Sequence, residues 1–196
     1  MTVALLDRRG EAVKYKIDWR VKKYTEDDVA RLSKILGRNP QSDDFERAKV
    51  TPFEDNLVRG NLVTTAGWNR LTSLMIAGGG QAPTNTSARI GTGDGAGSAA
   101  VGDTDLSASA GSTHRWFQIL DVTYPTQSNT LITMKATFAS ADGNYAWNEF
   151  GIDIGAPTVS SSNTVAALLL NHKTSIAQGT KTSGQSWTAS ATITFT

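Results

Sequence analysis

Glu149 and Asp153, two carboxylates four residues apart, are the first candidates for chemistry in this chain. A pair of acids is what a glycosidase needs, one to protonate the leaving oxygen and one to attack or to activate water. On a strand the two share a face, and four residues at ~3.3 Å each put them about 13 Å apart. Either glycosidase geometry needs roughly 5–9.5 Å, so the pair fails unless another strand supplies a partner. The alternative for Glu149, set among Trp147, Asn148 and Phe150, is structural. A carboxylate in that company must find an arginine or backbone N–H groups.

The remaining chemistry is sparse. There are two histidines, His114 and His172, both read as lying at strand ends. They can form a metal pair in space, but a solvated or core-edge histidine is the commoner outcome. Asp94, Asp103 and Asp105 sit in a glycine-rich loop. Three loop acids can hold Ca²⁺, yet the spacing is not that of an EF-hand and no bidentate Glu follows, so solvated acids are favoured. Serines are plentiful, but none stands in a Gly-x-Ser-x-Gly elbow. Gly78-Gly79-Gly80 follows a helix and does not precede one, which removes the helix N-terminus a phosphate loop requires. Arg8, Arg9, Lys14, Lys16, Arg20, Lys22 and Lys23 alternate with Tyr15, Trp19 and Tyr24, a pattern that can bind single-stranded nucleic acid. Asp7, Glu11 and Asp18 dilute it, and a protein partner is favoured over nucleic acid. No cofactor is expected.

The composition narrows the classes further. The chain has 196 residues, enough for one domain plus an appendage. It has no cysteine, which excludes disulfides, thiolate zinc sites and cysteine nucleophiles. No apolar run is long enough to span a membrane as a helix. The first residues lack a cationic start and a useful apolar stretch, so an unprocessed protein made in the cytoplasm is expected. Net charge is +1, but it is unevenly built. Residues 1–60 hold 13 Lys/Arg and 11 Asp/Glu, whereas residues 61–196 hold only 6 and 7. The second part is far below the usual quarter of charged residues, so its surface must be Ser, Thr, Gly, Asn and Ala.

These patterns divide the chain at Gly60-Asn61. Residues 13–21 alternate apolar and polar and read as an extended segment with one apolar face. That face must lie on this protein's own sandwich or on a partner. Thr25 caps a helix over about 26–36, with Val29, Leu32, Ile35 and Leu36 in its stripe and Gly37 at its end. Arg38 to Asp55, broken by Pro40 and Pro52, reads as extended and weakly ordered alone. Residues 1–60 are therefore expected to form a charged arm. Its partner-binding residues would be Arg8, Arg9, Tyr15, Ile17, Trp19, Leu32, Ile35, Phe45 and Phe53; a lid folded on its own domain is the alternative. A second helix is predicted over about 66–77. From Ser87 onward, strands at about ten-residue spacing predict a mainly β fold. They are placed at 88–92, 114–124 (with a bulge near Ile119-Leu120), 130–139, 145–154, 164–171 and 187–196. The expected fold is an antiparallel β-sandwich, jelly-roll-like, spanning residues 61–196.

The order of motifs in residues 61–196 resembles a known group. Asn61-Leu62-Val63 is followed by a helix, Gly78-Gly79-Gly80 and Ala88-Arg89-Ile90-Gly91-Thr92-Gly93-Asp94. Then come Asp103-Thr104-Asp105-Leu106, Ala136-Thr137-Phe138, Tyr145-Ala146-Trp147-Asn148-Glu149-Phe150-Gly151-Ile152, Leu170-Asn171-His172-Lys173 and Gly179-Thr180-Lys181. This resembles small virion proteins of tailed bacteriophages, of the capsid-decoration (cement) type or the tail-fibre and collar type. The resemblance implies a non-enzymatic structural protein located in the virion and commonly trimeric, with Arg89, Trp147 and Glu149 as structural residues. The expected partners are the major capsid protein and further copies of this chain. Tail proteins are the alternative, and a glycan-cleaving tail enzyme is the least favoured reading.

Overall fold

The structure is a computed structural model that describes residues 5–6, 12–13, 15–155 and 157–196. It is a β-sandwich of two antiparallel five-stranded sheets. A two-residue pair, β1 (Leu5–Leu6) with β2 (Ala12–Val13), precedes it. The first sheet has the order β5 (Leu62–Val63), β11 (Leu168–Thr174), β10 (Glu149–Ile154), β6 (Ala88–Gly93), β7 (Arg115–Ile119). The second has the order β4 (Glu54–Arg59), β3 (Tyr15–Tyr24), β12 (Ser186–Phe195), β9 (Leu131–Phe138), β8 (Thr126–Ser128).

Alternation decides which side chains meet between the sheets. Ile17, Trp19 and Val21 of β3, Met134, Ala136 and Phe138 of β9, and Ala189, Ala191 and Ile193 of β12 face Ile90, Phe150, Ile152, Ile154 and Leu170. Trp19 stacks on Phe150 with ring centroids 4.8 Å apart. Trp147 stands edge-on to Phe138 at 4.6 Å and to Trp187 at 4.9 Å, the arrangement that aromatic quadrupoles favour.

The expected arm is therefore not an arm. β3 lies between β4 and β12, and it pairs with β12 from Tyr24↔Ser186 to Tyr15↔Phe195. Gly60-Asn61 is not a boundary of the fold. The period-two pattern shows that β3 has an apolar face, and that face is covered by the chain's own second layer. The stretch 38–55 is also more regular than its prolines suggest, because it contains α2 (Ser42–Arg47) and the start of β4. Asp44 closes a capping box with Gln41 and pairs with Arg38 at 2.7 Å and Arg47 at 2.6 Å. Burial works to raise its pKa, but the bonds from Arg38, the Gln41 N–H and Arg47 win and hold it down at about 2.

α1 (Glu26–Leu36) starts at Thr25, whose Oγ1 accepts from the Asp28 N–H, and ends at Gly37 in the left-handed region at φ 67°. Together α1 and α2 cover one end of the outer face of the second sheet. They bury a satellite core of Tyr24, Val29, Leu32 and Phe45. Asp121 ties α2 down by accepting from the Ser42 N–H (2.9 Å) and from the N–H and hydroxyl of Thr137 on β9 (2.9 and 2.8 Å). Glu46 adds bonds from Lys22 and Lys135, both at 3.0 Å. α3 (Thr65–Met75) lies on β11, and Gly67 makes this possible: a Cβ there would collide with the backbone of Leu170.

Three strand assignments shift, and β10 starts at Glu149 and not at Tyr145. β7 stops at Ile119, and residues 121–124 form a turn closed by the Tyr124 N–H on the Asp121 carbonyl. The bulge lies at Ile152/Asp153 between β10 and β11, not at Ile119-Leu120. Residues 164–167 precede β11 as a loop, because Asp153 takes the N–H groups of Ala166 and Ala167 away from a ladder. His172 consequently sits inside β11 and not at its end.

Candidate functional site

The outer face of the first sheet carries a third layer made of loops. Glu149 and Asp153 point outward from β10, and Arg89, Gly91 and Gly93 from β6, while Phe150, Ile152 and Ile154 point into the core. The loop 94–114 lies directly on this face. Gly93 permits the contact, since a Cβ there would come within 2.8 Å of Ala108 in the loop. Leu106, Phe117 and Leu169 fill the space between loop and sheet.

Beneath the loop runs a chain of acid, histidine and acid. Glu149 is fully buried. Its Oε2 accepts from the Ser107 N–H (2.9 Å), the Ser107 hydroxyl (2.6 Å) and His172 Nε2 (2.8 Å), and its Oε1 accepts from the Ala108 N–H (2.7 Å). The other nitrogen of His172, Nδ1, lies 2.5 Å from Asp103 Oδ2. Only the doubly protonated ring donates to both carboxylates. Burial works to lower the His172 pKa, but the bonds to Glu149 and Asp103 outweigh it and the net shift is upward. Burial likewise works to raise the Glu149 pKa, and the bonds from His172, Ser107 and Ala108 overturn it to a net lowering.

A second clamp holds the loop before β11. Arg89 and Asp153 form an ion pair with both side chains buried. All five guanidinium N–H groups are used. Nε and Nη2 donate to Asp153, Nη1 to the Ser160 carbonyl (2.9 Å) and the Ser162 hydroxyl (2.7 Å), and Nη2 also to the Thr164 carbonyl (2.7 Å). Arg115 does similar work nearby. It pairs with Asp105 at 2.8 Å and donates to the carbonyls of Asn163 and Ala108.

The polar groups of this layer are committed to one another. Both ring nitrogens of His172 are committed to carboxylates, so neither is free to take a proton from a substrate. The Ser107 hydroxyl donates to Glu149 and not to the histidine, which is not the order of a nucleophilic triad. Glu149 and Asp153 are each locked by their own partners. The three loop aspartates are matched one to one with basic side chains: Asp94 with His114 at 2.7 Å, Asp103 with His172, Asp105 with Arg115. Among the described residues, no group of three or more His, Cys, Asp or Glu is placed to hold a metal ion. A cleft of about 410 Å³, lined by Arg59, Asn61 and Lys173 among others, opens beside His172.

The expected partner-binding residues are scattered. Ile17, Trp19, Leu32 and Phe45 are buried at home, Phe45 stacked on Tyr24 with centroids 3.8 Å apart. Tyr15 is half-buried, edge-on to Trp68. Of the described ones, only Ile35 (72% exposed) and Phe53 (51%) offer surface to a neighbour. Arg8 and Arg9 lie outside the described residues. Arg89, Trp147 and Glu149 are all buried. The sequence reading missed Ser107, Arg115 and Asp121, and no local spacing marks them.

The fold and the site together define a β-sandwich whose outer loops are clamped by buried ionic groups. No protein-family model, no curated protein and no solved structure matches this chain. Among the described residues, no helix is long and apolar enough to cross a membrane.

The histidine clamp has a pH signature. A raised His172 contributes stability that is complete below its unfolded value of about 6.5 and is lost as pH rises through its folded value. A lowered Glu149 contributes stability present above about 4.5, lost as pH falls through its folded value. Amide protection of loop 94–114 is therefore expected to be greatest between these limits. The alkaline fall should be about 1.4 kcal/mol for each unit by which His172 is raised. Hydrogen exchange against pH on wild type and His172→Gln checks this. An alkaline limb of the same size in the variant would remove His172 as its source.

Proposed function

We propose that this chain is a non-enzymatic structural protein of a tailed-phage particle, a decoration protein that binds the major capsid protein and further copies of itself. One observation carries the structural reading. Of the thirteen Lys, Arg, Asp and Glu residues after position 60, six are buried: Arg89, Arg115, Asp121, Glu149, Asp153 and Lys181. Residues 61–196 spend their few charges on fastening their own loops and turns. The surface these residues contribute is poor in ions and rich in small residues, which allows neighbours to pack closely there without desolvating charges, whereas the charges of residues 15–59 line the outer rows of β3 and β4 and the helices. The virion setting rests on the motif order described above. With β3 and β4 built into the sandwich, attachment falls to the folded surface, where Phe53 and Leu57 are exposed at the edge strand β4.

The test is a binding count. Purified protein is mixed with expanded capsids stripped of accessory proteins, and bound copies are measured per particle. Copies on the order of hundreds, spread over the shell, support decoration. Roughly six or twelve, the count of a symmetric ring, would move the protein to the tail. Absence of binding to heads and tails alike would sink the virion reading.

A further inference from the structure

Lys181 is a buried amine that no carboxylate among the described residues neutralises. It is 1% exposed. Its Nζ donates to the Ala139 carbonyl at 2.7 Å and to the side-chain oxygen of Asn144 at 2.8 Å. Among the described residues, no carboxylate oxygen reaches it as an ion pair. Several contacts fix the two partners. The Lys181 N–H donates to the Tyr145 carbonyl, and Ala146 and Thr180 form a bridge beside them. The Asn144 amide is oriented from its other side, where Nδ2 donates to the Ser140 carbonyl at 2.9 Å. The turn between them is walled by Phe138 and Trp147, which approach Gly143 closely.

We propose that Lys181 and Asn144 are joined by an intramolecular isopeptide bond that the folded chain forms on its own. The chemistry needs a neutral amine, a held carboxamide and a group that moves a proton. Burial lowers the Lys181 pKa to about 8, so a large fraction of the amine is uncharged at mildly alkaline pH. Asp142 is two residues from Asn144 and is coupled electrostatically to Lys181; burial raises its pKa, against the pull of Lys181 and the Ala139 N–H. Nζ attacks Cγ of Asn144, and the new C–N bond forms as Oδ1 takes up negative charge. The proton leaves Nζ and returns on Nδ2 through solvent at the exposed Asn144, with Asp142 the acid whose charge acts on Lys181. The Cγ–Nδ2 bond breaks, ammonia leaves, and no oxidant or reductant is required. The product ties the turn after β9 to the segment before β12, so that β10 and β11 lie inside a closed covalent loop.

Intact-mass spectrometry of the purified full chain, held at pH 9 until the mass is constant, tests this. The wild type is expected to be one ammonia lighter than its sequence, about 17 Da. Its tryptic digest should hold a branched peptide joining Lys181 to Asn144. Lys181→Met and Asn144→Ala should keep their full masses, and Asp142→Asn should form the bond far more slowly. A wild-type mass equal to the sequence overturns the proposal without any variant having to fold. So does an ammonia loss confined to the peptide of Asn144, which is a succinimide. A bond that forms as fast in Asp142→Asn would overturn the part given to Asp142.

Discussion

Deleting residues 1–60 is expected to abolish folding of the remainder, not to release an intact sandwich. β3 is an interior strand of the second sheet, paired on one side with β4 and along its whole length with β12. Removing it uncovers the inner faces of Trp187, Ala189, Ala191 and Ile193. It also turns β12 into a long open edge, which pairs with other chains or aggregates. Ile17, Trp19 and Val21 each bring about 1.5–3 kcal/mol of burial, and a whole domain is stable by only about 5–15 kcal/mol. The satellite core around Tyr24 and Phe45 is lost as well. Circular dichroism and an amide NMR spectrum of residues 61–196 are the measurements. A dispersed spectrum with a cooperative melt would restore the view of the first sixty residues as an appendage.

Arg89→Met should be the most damaging single substitution on the outer loop layer. It removes one charge of a pair in which both members are buried, and it strands Asp153 without its counter-ion. Breaking such a pair from one side costs about 3–5 kcal/mol, more than the pair itself contributes. Three further acceptors, on Ser160, Ser162 and Thr164, lose their donor at the same time. Lysine is no substitute, since a point charge cannot fill five fixed directions. Urea unfolding should show a lower midpoint with an unchanged slope. The double variant Arg89→Met with Asp153→Leu should recover only the part due to the stranded charge, because it also leaves the N–H groups of Ala166 and Ala167 without their acceptor. A single variant within about 1 kcal/mol of wild type would mean that water reaches the pair.

Features fixed by neighbours in sequence were legible before the structure. Thr25 and Gly37 bracket α1 because capping is local, whereas of its expected stripe only Val29 and Leu32 are covered and Ile35 and Leu36 stay exposed. The strands expected at 130–139 and 187–196 agree with β9 and β12 to within one residue at each end. What covers a face is not local, and there the reading failed. The charge step at residue 60 suggested a separate arm. The charges of residues 15–59 instead line the outer rows of β3 and β4 and the helices, as in Arg20–Asp55 and Lys22–Glu46, while the same strands turn Ile17, Trp19 and Val21 inward. The clamp residues were hidden for the same reason. Asp103 and His172 stand 69 positions apart, so no spacing rule connects them. Glu149 alone carried a readable signal, a carboxylate among aromatic residues.

The pairing of β3 with β12 has a consequence for how the protein is made. β3 leaves the ribosome early, and the strand that completes its sheet is the last of the twelve to be synthesised. At roughly 5–20 residues per second, the interval is on the order of ten seconds or more. During that time Trp19 and its neighbours have no lid, and the sheet cannot close by any shorter route. Completion waits until β12 has been made, and contacts that join residue 15 to residue 195 place it among slowly folding topologies. Cellular holdases that shield an exposed apolar strand would therefore raise the yield of this protein more than any change to its final packing.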